Sequence, residues 1–131
     1  MSLGEVVMTG RESDLDGSGD RGAGPRDAGT PERYEAHGAP VVVARGSYDM
    51  QTIAPLATAL RAAAEGRPRV VLDVSAVTFA DSSFLNLLIL THRTTDLRLA
   101  GPTTPVRRIL ELTGVDTVLK VRSTVEDAAT C

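Results

Sequence analysis

The chain has 131 residues, 42% hydrophobic and 24% charged, which suits one compact domain with some additional chain rather than two domains. Its formal net charge of -3 gives no general attraction to phosphate backbones or anionic membranes, so we expect neither nucleic acid nor membrane as a partner.

The one cysteine, Cys131, can form neither an internal disulfide nor a zinc site, and we expect it to be a frayed terminal thiol. The N-terminus has no basic segment followed by an apolar stretch, so a cytoplasmic protein is expected. The core must be aliphatic, because the chain has no Trp, two Phe and two Tyr.

The composition changes near residue 31. Eight of the twelve glycines lie in residues 1–38, and residues 9–30 are rich in Gly, Asp, Arg and Ser with a single leucine. Such a segment cannot bury enough apolar surface to offset the loss of conformational entropy on ordering. We therefore predict a disordered Gly/Asp-rich tail over residues 1–30 and one folded domain over residues 31–131.

From residue 31 onward, apolar periodicity and turn residues predict alternating strands and helices. In chain order these are a strand over residues 32–36, a turn over 37–40, a strand over 41–46, a helix over 52–65, a buried strand over 69–74, a helix over 82–94, a strand over 97–100, a helix over 106–112, a strand over 117–121 and a short helix from residue 124. Thr104 is the predicted N-cap of the third helix, with Pro105 in its first turn and Gly114 after its end. The order predicts an α/β fold, a single domain in which a mixed β-sheet is flanked by about four α-helices.

The segment that joins the buried strand to the second helix contains Asp81, Ser82 and Ser83. Because α/β proteins place their sites at the carboxyl ends of the strands, we expect the functional site at this edge of the sheet. One interpretation is that free backbone N–H groups and the positive end of the helix would accommodate a phosphate on either serine. The alternative is that the three residues only cap the helix.

Helical spacing gives a second indication. At about 100° per residue, Ser82, Asn86, Ile89 and Arg93 share one stripe of the second helix, while Phe84 points elsewhere. We expect the stripe to face solvent. It is a reasonable docking surface, although an ordinary solvated helix face would have the same composition.

Three segments, in order, resemble the STAS domain of bacterial anti-sigma factor antagonists. Residues 46–49 (GSYD) resemble the Gly-x-x-Asp that follows the second strand of the family. Residues 71–83 (VLDVSAVTFADSS) resemble its signature, in which a serine follows an aspartate, and residues 97–114 resemble its last strand and helix. The resemblance covers roughly residues 32–129 and implies a STAS-like fold.

The resemblance also implies a regulatory role. Members of this family bind an anti-sigma factor when they are unphosphorylated and so free a sigma factor for transcription. The anti-sigma factor is often also the serine kinase that inactivates the antagonist, and a PP2C-type phosphatase reverses the modification. By position, Ser82 matches the phosphoacceptor with Ser83 as the fallback, and Asp49 matches the loop acid of the family. The sequence departs from the pattern at Phe84 and Asn86, where the family has glycines.

The motifs and the stripe of the second helix together give the predicted partner-binding residues, which are Asp49, Asp81, Ser82, Asn86 and Arg93. A phosphate would add about -1.5 to -2 charges at the helix start, and we expect it to act at the interface through its bulk and through repulsion from acidic groups of the partner. No enzyme activity, catalytic residue, metal or cofactor is expected. The alternative function is a STAS scaffold or ligand-sensing module that works within a larger assembly without phosphorylation.

Three other patterns lack what their chemistry requires. Residues 17–22 spell G-x-G-x-x-G but neither follow a predicted strand nor open a helix. Residues 14–20 imitate the start of a calcium loop, but the twelfth position is Pro25 instead of a glutamate. A serine hydrolase needs a base beside Ser82, whereas His92 lies ten residues along the same helix, about 15 Å away. The other histidine lies in the predicted hairpin turn.

Overall fold

The computed structural model describes residues 31–131, so the predicted tail over residues 1–30 lies outside the described residues. The elements are strands β1 (Arg33–Ala36), β2 (Ala39–Tyr48), β3 (Arg69–Ala80), β4 (Asp96–Ala100) and β5 (Lys120–Arg122), helices α1 (Ala54–Ala64), α2 (Ser82–His92), α3 (Thr104–Thr113) and α4 (Val125–Thr130), and a 3₁₀ helix (Val115–Thr117). No helix in this part of the chain is long and apolar enough to cross a bilayer.

The five strands form one sheet in the order β1-β2-β3-β4-β5. The β1–β2 pair is antiparallel and the other three pairs are parallel, which confirms the predicted α/β fold with a mixed sheet and four helices. The turn of the first hairpin consists of His37 and Gly38 alone, and both have positive φ angles, 51° and 78°. Two-residue turns of this kind are favoured because their twist matches that of the strands they join. The predicted turn was wrong by two residues, because Ala39 and Pro40 pair with β1.

Both faces of the sheet are covered. The larger core cluster lies under α1, α2 and α3, and its largest fully buried side chains are Phe84, Leu56, Leu60, Leu72, Leu88, Leu97, Leu99 and Leu110. The smaller cluster lies on the opposite face, where two alanines of α4 pack on Ala39, Val41, Val71 and Ala100. The core is therefore almost wholly aliphatic, as the composition predicts.

Arginine side chains hold α4 on the sheet. Arg98, which is 3% exposed, points from β4 towards the end of α4 and donates to the carbonyl oxygen of Ala128 at 3.0 Å and to that of Cys131. Arg69 donates to the carbonyl oxygen of Ala129 at 2.7 Å. The last carbonyls of a helix have no partner within it, so these donors replace the missing hydrogen bonds. Cys131 is not frayed as predicted, because Arg98 also contacts its sulfur at 3.4 Å.

The strand β3 is longer than the sequence predicts. It pairs with β4 only as far as Asp73, then continues to Ala80 beside β2 alone. Two register shifts in the β2–β3 ladder each add one residue to β3, so that Val74, Val77 and Ala80 all face the larger core. This spacing of three hides the period of two that identifies a strand, and the predicted end at residue 74 was wrong for that reason.

The region after β4 differs from the prediction in two places. Thr103 rather than Thr104 precedes α3, and its hydroxyl donates to the carbonyl oxygen of Val77 at 2.9 Å instead of capping the helix. Residues 117–121 were predicted as a strand, but a 3₁₀ turn extends to Thr117 and β5 begins at Lys120. Val115 in the 3₁₀ turn and Leu119 after it are both buried in the larger core, and the N–H of Leu119 donates to the carbonyl oxygen of Val115 at 3.0 Å. This four-residue spacing is helical rather than extended.

Candidate functional site

Asp81 is the residue at which β3 ends and α2 begins. Its Oδ1 accepts from the backbone N–H of Ser83 at 2.8 Å, and its carbonyl oxygen accepts from the N–H groups of Phe84 and Leu85 at 3.1 and 3.3 Å. Asp81 is therefore a true N-cap. The expectation of free N–H groups that would receive a phosphate was largely wrong. The N–H groups of Ser83, Phe84 and Leu85 already donate to Asp81.

The two serines differ in their exposure. Ser82 is exposed, and its hydroxyl makes no hydrogen bond with any residue between 31 and 131, whereas Ser83 is half-buried. The fold leaves the Ser82 hydroxyl open to another molecule and partly covers its neighbour.

Asp49 lies beside Asp81 at the same edge of the sheet. The last residues of the two strands, Tyr48 and Ala80, are paired, and the N–H of Asp81 donates to the carbonyl oxygen of Tyr48 at 3.3 Å. The Oδ1 of Asp49 accepts from the N–H groups of Gln51 and Thr52 at 2.9 and 3.0 Å, which fixes the turn that leads into α1. We call the group formed by Asp49, Asp81 and Ser82 the Ser82 edge.

One oxygen of each carboxylate at the Ser82 edge remains available. Oδ1 of both Asp49 and Asp81 is hydrogen-bonded within the fold, but in the described part of the chain neither Oδ2 accepts a hydrogen bond. None of the salt bridges among residues 31–131 includes either side chain. The edge thus combines a free hydroxyl with two negative charges and two open acceptors.

The predicted stripe of α2 does face solvent. Ser82, Asn86, Ile89 and Arg93 are all exposed, while Phe84 is fully buried on the opposite side. Asn86 lies one turn from Ser82. Arg93 follows the end of the helix, eleven residues or about 16 Å from Ser82 along the axis, so it shares the face but does not join the Ser82 edge.

Phe84, which stands where the STAS pattern has a glycine, fills the core beneath the site. Its ring stacks on Tyr48 at a centroid distance of 5.6 Å, and the Tyr48 hydroxyl accepts from the N–H of Arg45 at 3.0 Å. Burial raises the pKa of Tyr48 above its ordinary value of 10.0. The aromatic pair joins the start of α2 to the end of β2, so the departure from the pattern strengthens packing under the Ser82 edge without reaching its surface.

Sequence reasoning missed two apolar side chains beside the site. Met50, directly after Asp49, is 76% exposed, and Phe79, two residues before Asp81, is 53% exposed. No signal in the sequence marks Phe79, because Thr78 and Phe79 are both exposed between the buried Val77 and Ala80 only through the way β3 pairs with β2.

The histidines lie away from Ser82. His92 is at the far end of α2, where it is half-buried and its Nδ1 accepts from the N–H of Leu97 at 3.3 Å. His37 is in the β1–β2 turn, 3.7 Å from Glu126 and at the opposite end of the ten-residue strand β2 from Asp49. Over residues 31–131, no three His, Cys, Asp or Glu side chains lie close enough together to hold a metal ion.

Comparisons with known proteins agree with this architecture. Among solved structures, an anti-sigma factor antagonist from Mycobacterium paratuberculosis is 33% identical, with a TM-score of 0.69 over 77% of this chain and 91% of that chain. An anti-sigma-factor antagonist (STAS) domain protein from Planctomyces limnophilus is 20% identical, with a TM-score of 0.65 over 76% and 94% of the two chains. The Bacillus cell fate determinant SpoIIAA in its phosphorylated form is 16% identical, with a TM-score of 0.58 over 75% and 95%.

The last two similarities concern the fold alone. No curated protein matches the sequence. The family model described as "Mlab, STAS domain" matches residues 33–122, which is most of the chain and includes the whole Ser82 edge. The chain belongs to the STAS domain family, and its structure is similar to those of anti-sigma factor antagonists.

Proposed function

We propose that the protein is an anti-sigma factor antagonist of the cytoplasm, which acts by binding and not by catalysis. In its unphosphorylated form it binds an anti-sigma factor through the Ser82 edge and so frees a sigma factor for transcription. The anti-sigma factor is also the serine kinase that phosphorylates Ser82, and a PP2C-type phosphatase restores the binding form. The observation that carries this proposal is the exposed Ser82 hydroxyl, without a partner in residues 31–131, in a chain 33% identical to a named antagonist.

Each residue of the proposed interface has a role that follows from its contacts. Ser82 is the phosphoacceptor, and Ser83 is the fallback, disfavoured by its partial burial. Asp49 and Asp81 offer their open Oδ2 atoms to donors of the partner. Asn86 and Arg93 extend the contact along α2, and the folded domain over residues 31–131 carries the whole interface.

Phosphorylation would change the surface and leave the fold intact. The N–H groups of Ser83, Phe84 and Leu85 already donate to Asp81. A phosphate on Ser82 would therefore find few free N–H groups of the helix with which to form hydrogen bonds. It would stand beside the Asp81 carboxylate, and like charges favour an orientation away from the protein. The dianion would then occupy the space in which the partner binds.

The experiment compares charge variants against the purified anti-sigma factors of the source organism, by calorimetry and by intact mass after incubation with ATP. The wild-type protein should bind one of them and acquire one phosphate. Ser82→Ala should bind without acquiring phosphate, and Ser82→Asp should bind at least tenfold more weakly. Leu112→Asp, which adds the same charge on α3 where the side chain is 79% exposed, serves as the control and should bind as the wild type does.

Two results would count against the proposal. Equal binding by Ser82→Asp and the wild type would favour the STAS scaffold or ligand-sensing module without phosphorylation. A phosphate that persists in Ser82→Ala and disappears in Ser83→Ala would move the phosphoacceptor to Ser83.

A further inference from the structure

Two large apolar side chains lie in the open beside the Ser82 edge. Met50 is 76% exposed and Phe79 is 53% exposed. Phe79 is three positions before Ser82, so their Cα atoms are at most about 11 Å apart. Of the other exposed apolar side chains, Leu112 lies in the last turn of α3 and Val118 directly follows the 3₁₀ helix. Single exposed apolar side chains are ordinary on a protein surface; what sets these two apart is their position, one directly after Asp49 and one two residues before Asp81.

The exposure of Phe79 is built into the strand. Gly46 pairs with Val77 and the next residue of β2, Ser47, pairs with Phe79, so Thr78 is an extra residue. Strict alternation from the buried Val77 would turn Phe79 inward. The extra residue instead turns the small Ala80 into the core and Phe79 outward. Bulges commonly re-aim a side chain next to a site, and here the side chain is one of only two phenylalanines in the chain.

The groups around these side chains define the chemistry of the partner. Asp49 and Asp81 supply two negative charges, and no cation within residues 31–131 forms a salt bridge with either. A complementary surface has an apolar hollow with Lys or Arg at its margin. We propose that Phe79, supported by Met50, is the apolar anchor of the interface and inserts into such a hollow on the anti-sigma factor. This inference rests on the proposed function and names the residues that supply its affinity.

The anchor also specifies how phosphorylation releases the partner. Binding of the partner would enclose a phosphate on Ser82 against the apolar contact around Phe79, and the Lys or Arg groups at the margin, which pair with Asp49 and Asp81, would not replace all the hydration that the dianion loses. Release therefore acts through desolvation, in contrast to repulsion from acidic groups of the partner. Salt distinguishes the two mechanisms, because it screens repulsion between exposed charges but does not restore hydration to a buried one.

The test measures the Kd of the anti-sigma factor for wild type, Phe79→Ala, Phe79→Leu, Met50→Ala and the control Leu112→Ala. Phe79→Ala should raise Kd on the order of 30-fold, as expected when the exposed half of a Phe side chain no longer becomes buried. Phe79→Leu should recover most of the affinity, Met50→Ala should lose less, and Leu112→Ala should stay within about twofold. Because only about half of the Phe79 side chain is buried in the free protein, its variants should remain folded, with a thermal midpoint only slightly below that of the wild type.

The outcomes separate this inference from the proposed function. If the wild type binds and Phe79→Ala binds as Leu112→Ala does, the anchor is wrong and the antagonist function stands. If the wild type binds no anti-sigma factor, both are wrong. If Ser82→Asp regains wild-type affinity at high salt, release acts through repulsion and the desolvation mechanism is overturned.

Discussion

Replacing Asp81 tests whether its cap holds the site together. Asp81→Ala removes the acceptor of the 2.8 Å hydrogen bond from the Ser83 N–H at a helix start that is packed over Phe84 and Tyr48. Loss of an N-cap of this type costs about 1 kcal/mol, which for a domain of about 100 residues lowers the thermal midpoint by roughly 4–8 °C. Asp81→Asn keeps an acceptor of the same shape and should lower the midpoint by at most about 1–2 °C.

The assay combines thermal unfolding, followed by far-UV circular dichroism, with binding of the anti-sigma factor. Thr124→Ala is the matched control, because Thr124 caps α4 with a 3.0 Å hydrogen bond from Asp127 but does not belong to the Ser82 edge. It should lose stability and keep binding, whereas Asp81→Asn should keep stability and bind several-fold more weakly through loss of its charge. Equal midpoints for Asp81→Ala and the wild type would refute the cap, and full binding by Asp81→Asn would refute a role for its charge.

Two further predictions concern the attachment of α4. Arg98→Met leaves the carbonyl oxygens of Ala128 and Cys131 without this donor and Asp96 without its partner. The free energy of unfolding measured in urea should therefore fall by roughly 3 kcal/mol. Amide hydrogen exchange in α4 should become faster, and unchanged exchange there would contradict the prediction. Hydrogen bonds from Arg98 lower the pKa of Asp96 below its ordinary value of 3.8, so the ion pair contributes stability that is present above that value and is lost as the pH falls through the folded pKa. The urea midpoint of Asp96→Asn should therefore fall less between pH 5 and pH 3 than that of the wild type, and parallel curves would show that another group governs the acid response.

Local signals in the sequence predicted most of the elements. The continuous apolar run from Val70 to Leu72 predicted a strand buried on both faces, and all three side chains are fully buried. Thr124 was the predicted start of the last helix and does cap it. Gly66 and Gly114 follow their helices with φ of 68° and 79°, a conformation that side chains disfavour. The exposed stripe of α2 followed from helical phase alone.

Features that depend on contacts distant in sequence could not be predicted. Arg98 reads as a polar residue on an exposed strand face, and its burial depends on α4 thirty residues later. The bulges in β3 depend on which residues of β2 lie opposite. The sequence therefore predicted a loop at Phe79, whereas the structure places it in β3 with its side chain half-exposed. Such positions are defined by the pairing of strands, and a single sequence contains no direct record of that pairing.

The length of β3 explains why the Ser82 edge is accessible. Pairing with β4 stops at Asp73 and Ala100, but β2 and β3 remain paired up to Tyr48 and Ala80. The two strands therefore extend beyond the rest of the sheet as a ribbon, and the Thr103 hydroxyl takes the hydrogen bond of the Val77 carbonyl that β4 does not reach. A helix that began directly after Asp73 would start level with the end of β4. The two bulges of the ribbon instead carry the start of α2 outward, with Phe79 on the ribbon surface. The same irregularity that conceals the strand in the sequence therefore leaves Ser82 exposed beyond the end of β4.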